Sequence, residues 1–127
     1  MKNLVFAATE VDGVKVFNAT PHTINFGVGD EVKEVPASVA INATPAEEMV
    51  SNANGVELVK TVFKGTEEGW AIIKAMHDSC PEAIIVGSII AAQAYPGDIV
   101  ALTPCPGFER VPPAEKRMNP HKFTTFA

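Results

Sequence analysis

EAIIVGSIIAAQAYPGDIVALTP, residues Glu82–Pro104, opens on an apolar run too long for a single strand. Gly87-Ser88 divides it, because glycine breaks a regular element and serine caps the start of a helix. The stretch therefore predicts a strand over AIIVG, a short helix over IIAAQAY that Pro96-Gly97 ends, and a second strand over DIVALT. The stretch thus holds strand, helix and strand in 23 residues.

Upstream, TEEGWAIIKAMHDSC (Thr66–Cys80) has the period of a helix. Thr66 can cap it, Glu67 and Glu68 occupy the first turn where the helix dipole favours anions, and Trp70, Ile73 and Met76 or His77 recur at helical spacing. Pro81 stops it. The first half has a different texture, with NLVFAAT, GVKVFNAT, TINFG, EVKEV, SVAINA and VELVKTVFKG reading as short strands rich in β-branched and aromatic residues. Asp12-Gly13 is a hairpin turn between the first two. The predicted fold class is α+β, an antiparallel β-rich core with one or two helices.

Downstream, five of the ten prolines fall between Pro104 and Pro120, and Pro112-Pro113 excludes a regular helix or central strand there. Phe108, Val111, Met118, Phe123 and Phe126 give this Pro-rich C-terminal segment apolar anchors, so it is expected to lie extended across a surface. At 127 residues the chain fits one domain. Its parts are a β-rich half (1–64), a helix with the strand-helix-strand unit (65–103), and an extended ligand- or subunit-binding tail (104–127).

Composition narrows the function classes. With 46% apolar and 20% charged residues the chain is globular, and no run approaches the roughly 18 apolar residues of a membrane helix. No secretory signal pattern is visible, so a cytoplasmic setting is expected. Cys80 and Cys105 lack CxxC spacing, and His22, His77 and His121 are dispersed, so no metal site, cofactor or nucleophile–base pair is expected, and the protein is not expected to be an enzyme. The net charge of −5 argues against duplex nucleic acid as a partner. Charge is uneven, however. Up to Glu109 six lysines face fourteen carboxylates, a net of −8; from Arg110 onward four basic residues face one acidic, a net of +3. A small basic patch on an acidic body suits a small anion.

Three places can bind one. In NATPH, Pro21 biases Thr20 toward an extended conformation and His22 follows at a strand edge; the plain alternative is a turn whose imidazole meets a nearby carbonyl. In VGSII, a glycine followed by a helix start offers free N–H groups; the alternative is an ordinary capped turn, since no phosphate-loop motif completes it. The tail holds both arginines of the protein, Arg110 and Arg117, with Lys116, Lys122 and His121 nearby. Their planar forks suit phosphate, and Phe108 can stack on a base. The alternative for the tail is an inter-subunit clamp in which Glu109 and Glu115 pair with arginines of a neighbouring chain, as in a viral structural or assembly protein.

NATPHTI, IIVGSIIAAQAYPG and ERVPPAEKRMNPHKFTTF together resemble the first type of phage anti-Thoeris sponge protein, a family that sequesters cyclic nucleotide immune signals. The resemblance implies an antiparallel β core with helices, assembly as a homo-oligomer (dimer or hexamer), and action in the host cytoplasm during infection. It implies binding of glycocyclic ADP-ribose between subunits, and in some members of cyclic di- or trinucleotides, the ligand being held intact with no turnover. Carried onto this chain, the C-terminal match points to Arg110, Arg117 and Met118, the TPH match to His22, and the SIIAAQ match to Ser88 and Gln93.

Overall fold

The computed structural model describes residues 6–127. Its strands are β1 (Thr9–Val11), β2 (Val14–Asn18), β3 (Ile24–Val28), β4 (Glu31–Val35), β5 (Ala43–Ala53), β6 (Val56–Gly65), β7 (Ile84–Val86), β8 (Ile99–Pro104) and β9 (Met118–Thr124). Its helices are α1 (Glu67–Ser79) and α2 (Ile89–Ala94). Seven strands form one sheet in the order β1-β2-β7-β8-β9-β3-β4, while β5 and β6 form a separate two-stranded ribbon. The fold is α+β and β-rich, with a mixed main sheet: β2–β7, β7–β8 and β9–β3 pair parallel, the remaining neighbours antiparallel.

Local chemistry explains the elements. Asp12 and Gly13 both take positive φ, as do Asn54 and Gly55, which is the backbone that a two-residue hairpin turn needs. Thr66 Oγ1 accepts from Gly69 N–H at 2.9 Å and caps α1, and Ser88 Oγ accepts from Ala91 N–H at 3.1 Å and caps α2. The strand-helix-strand unit β7-α2-β8 stands where the sequence placed it. Helix α1 buries Ile72, Ile73 and Met76. Trp70, expected on the same face, is 46% exposed and instead sets its ring edge-on to Tyr95, with centroids 4.8 Å apart.

The two faces of the main sheet are packed differently. Phe17, Ile85, Ile99 and Ala101 meet α1 and α2 in one cluster, while their chain neighbours Val16 and Val86 point the other way into a second. That second cluster joins Val11 and Val16, from one end of the strand order, to Ile24, Phe26 and Val35, from the other. The sheet is therefore curled toward closure, its two ends sharing one interior.

Three sequence expectations are corrected. SVAINA is not a strand: Ser38 N–H donates to Asn18 C=O and Ile41 N–H to Ala19 C=O, laying this segment as a loop against the end of β2. The strand is β5, which starts at Ala43 and runs through Pro45, tolerated because β5 is an edge. In NLVFAAT, Phe6–Ala8 is not strand, pairing begins at Thr9, and residues 3–5 lie outside the described residues. The tail does not lie across a surface throughout, since Met118–Thr124 is β9, an interior strand between β8 and β3. Buried Pro120 survives there because the β8–β9 register breaks between the Phe123 and Met118 pairings, so no ladder bond is asked of it. Phe123 meets Phe26 edge-on at 6.4 Å and anchors the strand.

Lys15 Nζ lies 2.9 Å from Glu82 Oε1, and this hydrogen bond holds the Lys15 ammonium above and the Glu82 carboxyl below their ordinary pKa values. Both groups are in solvent, so the contribution is small. It is lost as pH falls through the lowered carboxyl pKa, and again as pH rises past the raised ammonium pKa.

Tyr95 is the central fastener of the helical layer. It is fully buried; its hydroxyl donates to Asn42 C=O at 2.8 Å and accepts from Thr66 N–H at 2.8 Å. Gly65 and Gly69 leave room for the ring, because a Cβ on either would fall within 2.7 Å of it. Tyr95→Phe is expected to cost about 1–3 kcal/mol, the penalty for leaving a buried donor and acceptor without partners. Urea unfolding followed by far-UV circular dichroism measures it, and an unchanged midpoint would contradict the role assigned to the hydroxyl.

Candidate functional site

Three strands run parallel side by side, β2, β7 and β8, and their carboxyl ends open on the same side of the sheet. Crevices outside the carboxyl ends of parallel strands are where open α/β sheets hold ligands. Here the crevice is a cleft of about 600 Å³, within the usual range for small-molecule sites. The loop after β2 gives it Thr20, Pro21, His22 and Thr23; the turn after β7 gives Gly87, Ser88 and Ile89. Strand β8 adds Ala101, Leu102 and Pro104, and the chain entering β9 adds Lys116 and Met118.

The first of these walls is built by Asn18, a fully buried polar residue. Its Nδ2 donates to His22 C=O at 2.7 Å and to Val35 C=O at 2.9 Å, and its Oδ1 accepts from Thr20 N–H at 2.9 Å. The Thr20 hydroxyl lies 2.6 Å from the same Oδ1 and 2.9 Å from His22 C=O, sharing its one proton between them. The amide is thus saturated, and the Thr20-Pro21-His22 backbone is fixed by it. The second wall is fixed by packing. A Cβ on Gly87 would lie 2.6 Å from Ile99 Cγ2 and 3.2 Å from Ala91 Cβ, so glycine there lets α2 sit down on β8. VGSII is an ordinary capped turn that also happens to line the cleft.

Ile24, Ile89, Leu102 and Met118 supply apolar surface, Thr20, Thr23, Asn25 and Ser88 supply neutral polar groups, and His22 and Lys116 are the ionisable side chains. Among the described residues no carboxylate lines the cleft, although the chain has 15. The chemistry on offer is apolar surface with hydroxyl and amide groups, one lysine ammonium and one imidazole.

Of the residues singled out in the sequence, His22, Ser88 and Met118 converge on this cleft. The others lie elsewhere. Gln93 is exposed on α2 and outside the lining. Phe108 and Arg110 belong to a loop between Cys105 and Arg117, which Cys105 N–H closes by donating to Arg117 C=O at 2.8 Å. Within it the Arg117 guanidinium stands 5.2 Å over the Phe108 ring, a cation–π contact that occupies both, while Arg110 is exposed. Lys116, Asn25 and Leu102 were not singled out as site residues; of these only Lys116 carried a signal, as a cation beside Arg117 in the basic segment. Cys80 and Cys105 are free thiols, and no group of three or more His, Cys, Asp or Glu among the described residues is placed to hold a metal. No helix among the described residues is long and apolar enough to cross a membrane.

Comparison with family models, with curated proteins and with solved structures finds no match to this chain.

Asn18→Ala strands Val35 C=O and Thr20 N–H and leaves His22 C=O to the Thr20 hydroxyl alone, so about 3 kcal/mol of stability should be lost, at the upper end for unsatisfied buried groups. Thr20→Val removes a hydroxyl with fewer dependents and should cost about 1 kcal/mol. Equilibrium denaturation of the two variants side by side checks the order, and the reverse order would remove Asn18 from its place as organiser of the wall.

Proposed function

We propose that the protein is a sponge: it binds an anionic, base-bearing small molecule of the cyclic nucleotide class and holds it intact, removing a host immune signal from circulation in the infected cell. The observation that carries this reading is the charge of the cleft. A chain of net charge −5 lines this cleft with Lys116 and His22 and with no carboxylate among the described residues, which favours an anion over a neutral or cationic guest. The apolar faces of Ile24, Ile89, Leu102 and Met118 suit a purine, and a preorganised wall spares the ligand the entropic cost of ordering a loop. Glycocyclic ADP-ribose and cyclic di- or trinucleotides, the ligands implied by the three sequence strings quoted above, combine fixed phosphate charge with flat bases. A binder without turnover acts by mass action, so ligand should stabilise it as RT ln(1 + [L]/Kd), about 2.7 kcal/mol at a hundredfold excess over Kd.

The decisive experiment incubates stoichiometric protein with glycocyclic ADP-ribose or a cyclic trinucleotide, removes free ligand, denatures the protein and chromatographs what is released. Recovery of the starting compound is expected; a linear or cleaved nucleotide would mean an enzyme, and no retained nucleotide would end the proposal. By calorimetry, Lys116→Ala should weaken binding by about one to two decades, since a hydrogen bond to a charged group is worth about 1.5–3 kcal/mol. Gln93→Ala, outside the cleft, should bind like the parent.

A further inference from the structure

The ribbon of β5 and β6 leaves the body of the protein. From Glu47 to Thr61 every residue is exposed, turn included, although the two strands stay paired antiparallel from Ala43↔Gly65 to Ala53↔Val56 with one register shift between Met49 and Ser51. Met49, Val50, Val56, Leu58 and Val59 are each between 44% and 62% exposed, on both faces of the arm. An isolated two-stranded hairpin in water is marginally stable at best, and an exposed apolar surface of this kind marks a contact.

The two edges of the arm are not alike. Strand β5 carries Pro45 and a register shift between Met49 and Ser51, both of which blunt an edge against further pairing. Strand β6, VELVKTVFKG, has neither proline nor bulge, and its Val56–Thr61 portion is open to solvent. Its outward N–H and C=O groups form an unblunted template. Charge also favours this element for self-association. Ala43–Gly65 holds three glutamates and two lysines, a net of −1, and Glu48 is already met by Lys60 across the ribbon at 3.6 Å. Strand β6 is also complementary to itself: an antiparallel register that sets Leu58 opposite Val59 of a second copy sets Glu57 opposite Lys60 on both sides of the axis.

We propose that β6 pairs with β6 of a second copy of this chain across a two-fold axis, joining two arms into one four-stranded sheet. The arm, and not the C-terminal segment, is then the subunit contact, since Met118–Thr124 is already committed to its own sheet. An edge-to-edge pairing of identical strands is isologous, so it closes at two copies and does not propagate.

The test is the mass of the full chain by light scattering at micromolar concentration, for the parent and two variants. The first is Val56→Lys with Leu58→Lys, both on the exposed arm. The second cuts the arm back to the register partners Glu47 and Thr61 and joins them through Asn-Gly, a two-residue turn that closes an antiparallel pair. The parent is expected to be a dimer or an even multiple of one, and both variants should lose at least half of that mass while still unfolding in a cooperative thermal transition. A monomeric parent overturns the proposal, and so does retention of the parent mass by either variant.

Discussion

Everything at the candidate site hangs on one buried amide. Asn18 ends β2 at the seam where the curled sheet brings β4 back beside it, and its Nδ2 reaches Val35 C=O across that seam while its Oδ1 and second N–H hold the Thr20–His22 loop. Its own backbone carbonyl accepts from Ser38 N–H, which starts the loop that follows β4 on its way to the arm. An apolar residue of similar size could fill the same space but would leave Val35 C=O and Thr20 N–H unpaired and take one of the two donors from His22 C=O, a loss of several hydrogen bonds at once. The curl of the sheet and the shape of the cleft are therefore one constraint seen from two sides.

The helical layer has its own fastener in Tyr95, and the division of labour between the two residues is informative. Asn18 works by satisfying main-chain groups of loops; Tyr95 fills volume and also ties Asn42 and Thr66, at the two ends of the β5–β6 ribbon, to α2. The arm is thereby held firmly at its base while its outer part, Glu47–Thr61, is exposed. The Ser88 turn lies between these two regions, its cap and the packing of Gly87 setting where α2 begins.

How legible this was depended on whether a signal was local. The split at Gly87-Ser88 and the start of α1 at Thr66 could be read because a cap is a short-range event, a side chain meeting an N–H three residues on. Strand β5 could not be read from alternation, because an arm wet on both faces has none to show, and Pro45 and Glu47-Glu48 look like loop; Asn54-Gly55, the local sign of its hairpin turn, went unread. Strand β9 was hidden by the prolines around it, and what places it is a long-range contact between Phe123 and Phe26. At the site, His22, Ser88 and Met118 were named from the sequence, but nothing in the sequence says that Arg117 will lie over Phe108 or that Asn18, which reads as a turn former closing a strand, is buried and saturated.

The place of β9 has a consequence for how the molecule is made. It fills the gap between β8 and β3, and β3 precedes it by most of the chain, so the central sheet stays in two pieces until Met118–Thr124 has been synthesised. Until then Phe26 and the β8 edge are uncovered, a pairing surface open to the wrong partner at the moment of highest exposure. Because the closing contacts span most of the chain, folding should be slow for a domain of this length. The C-terminal segment is thus the keystone of the sheet, and trimming it or loading it with a fusion interrupts the structure at its middle and not at its margin.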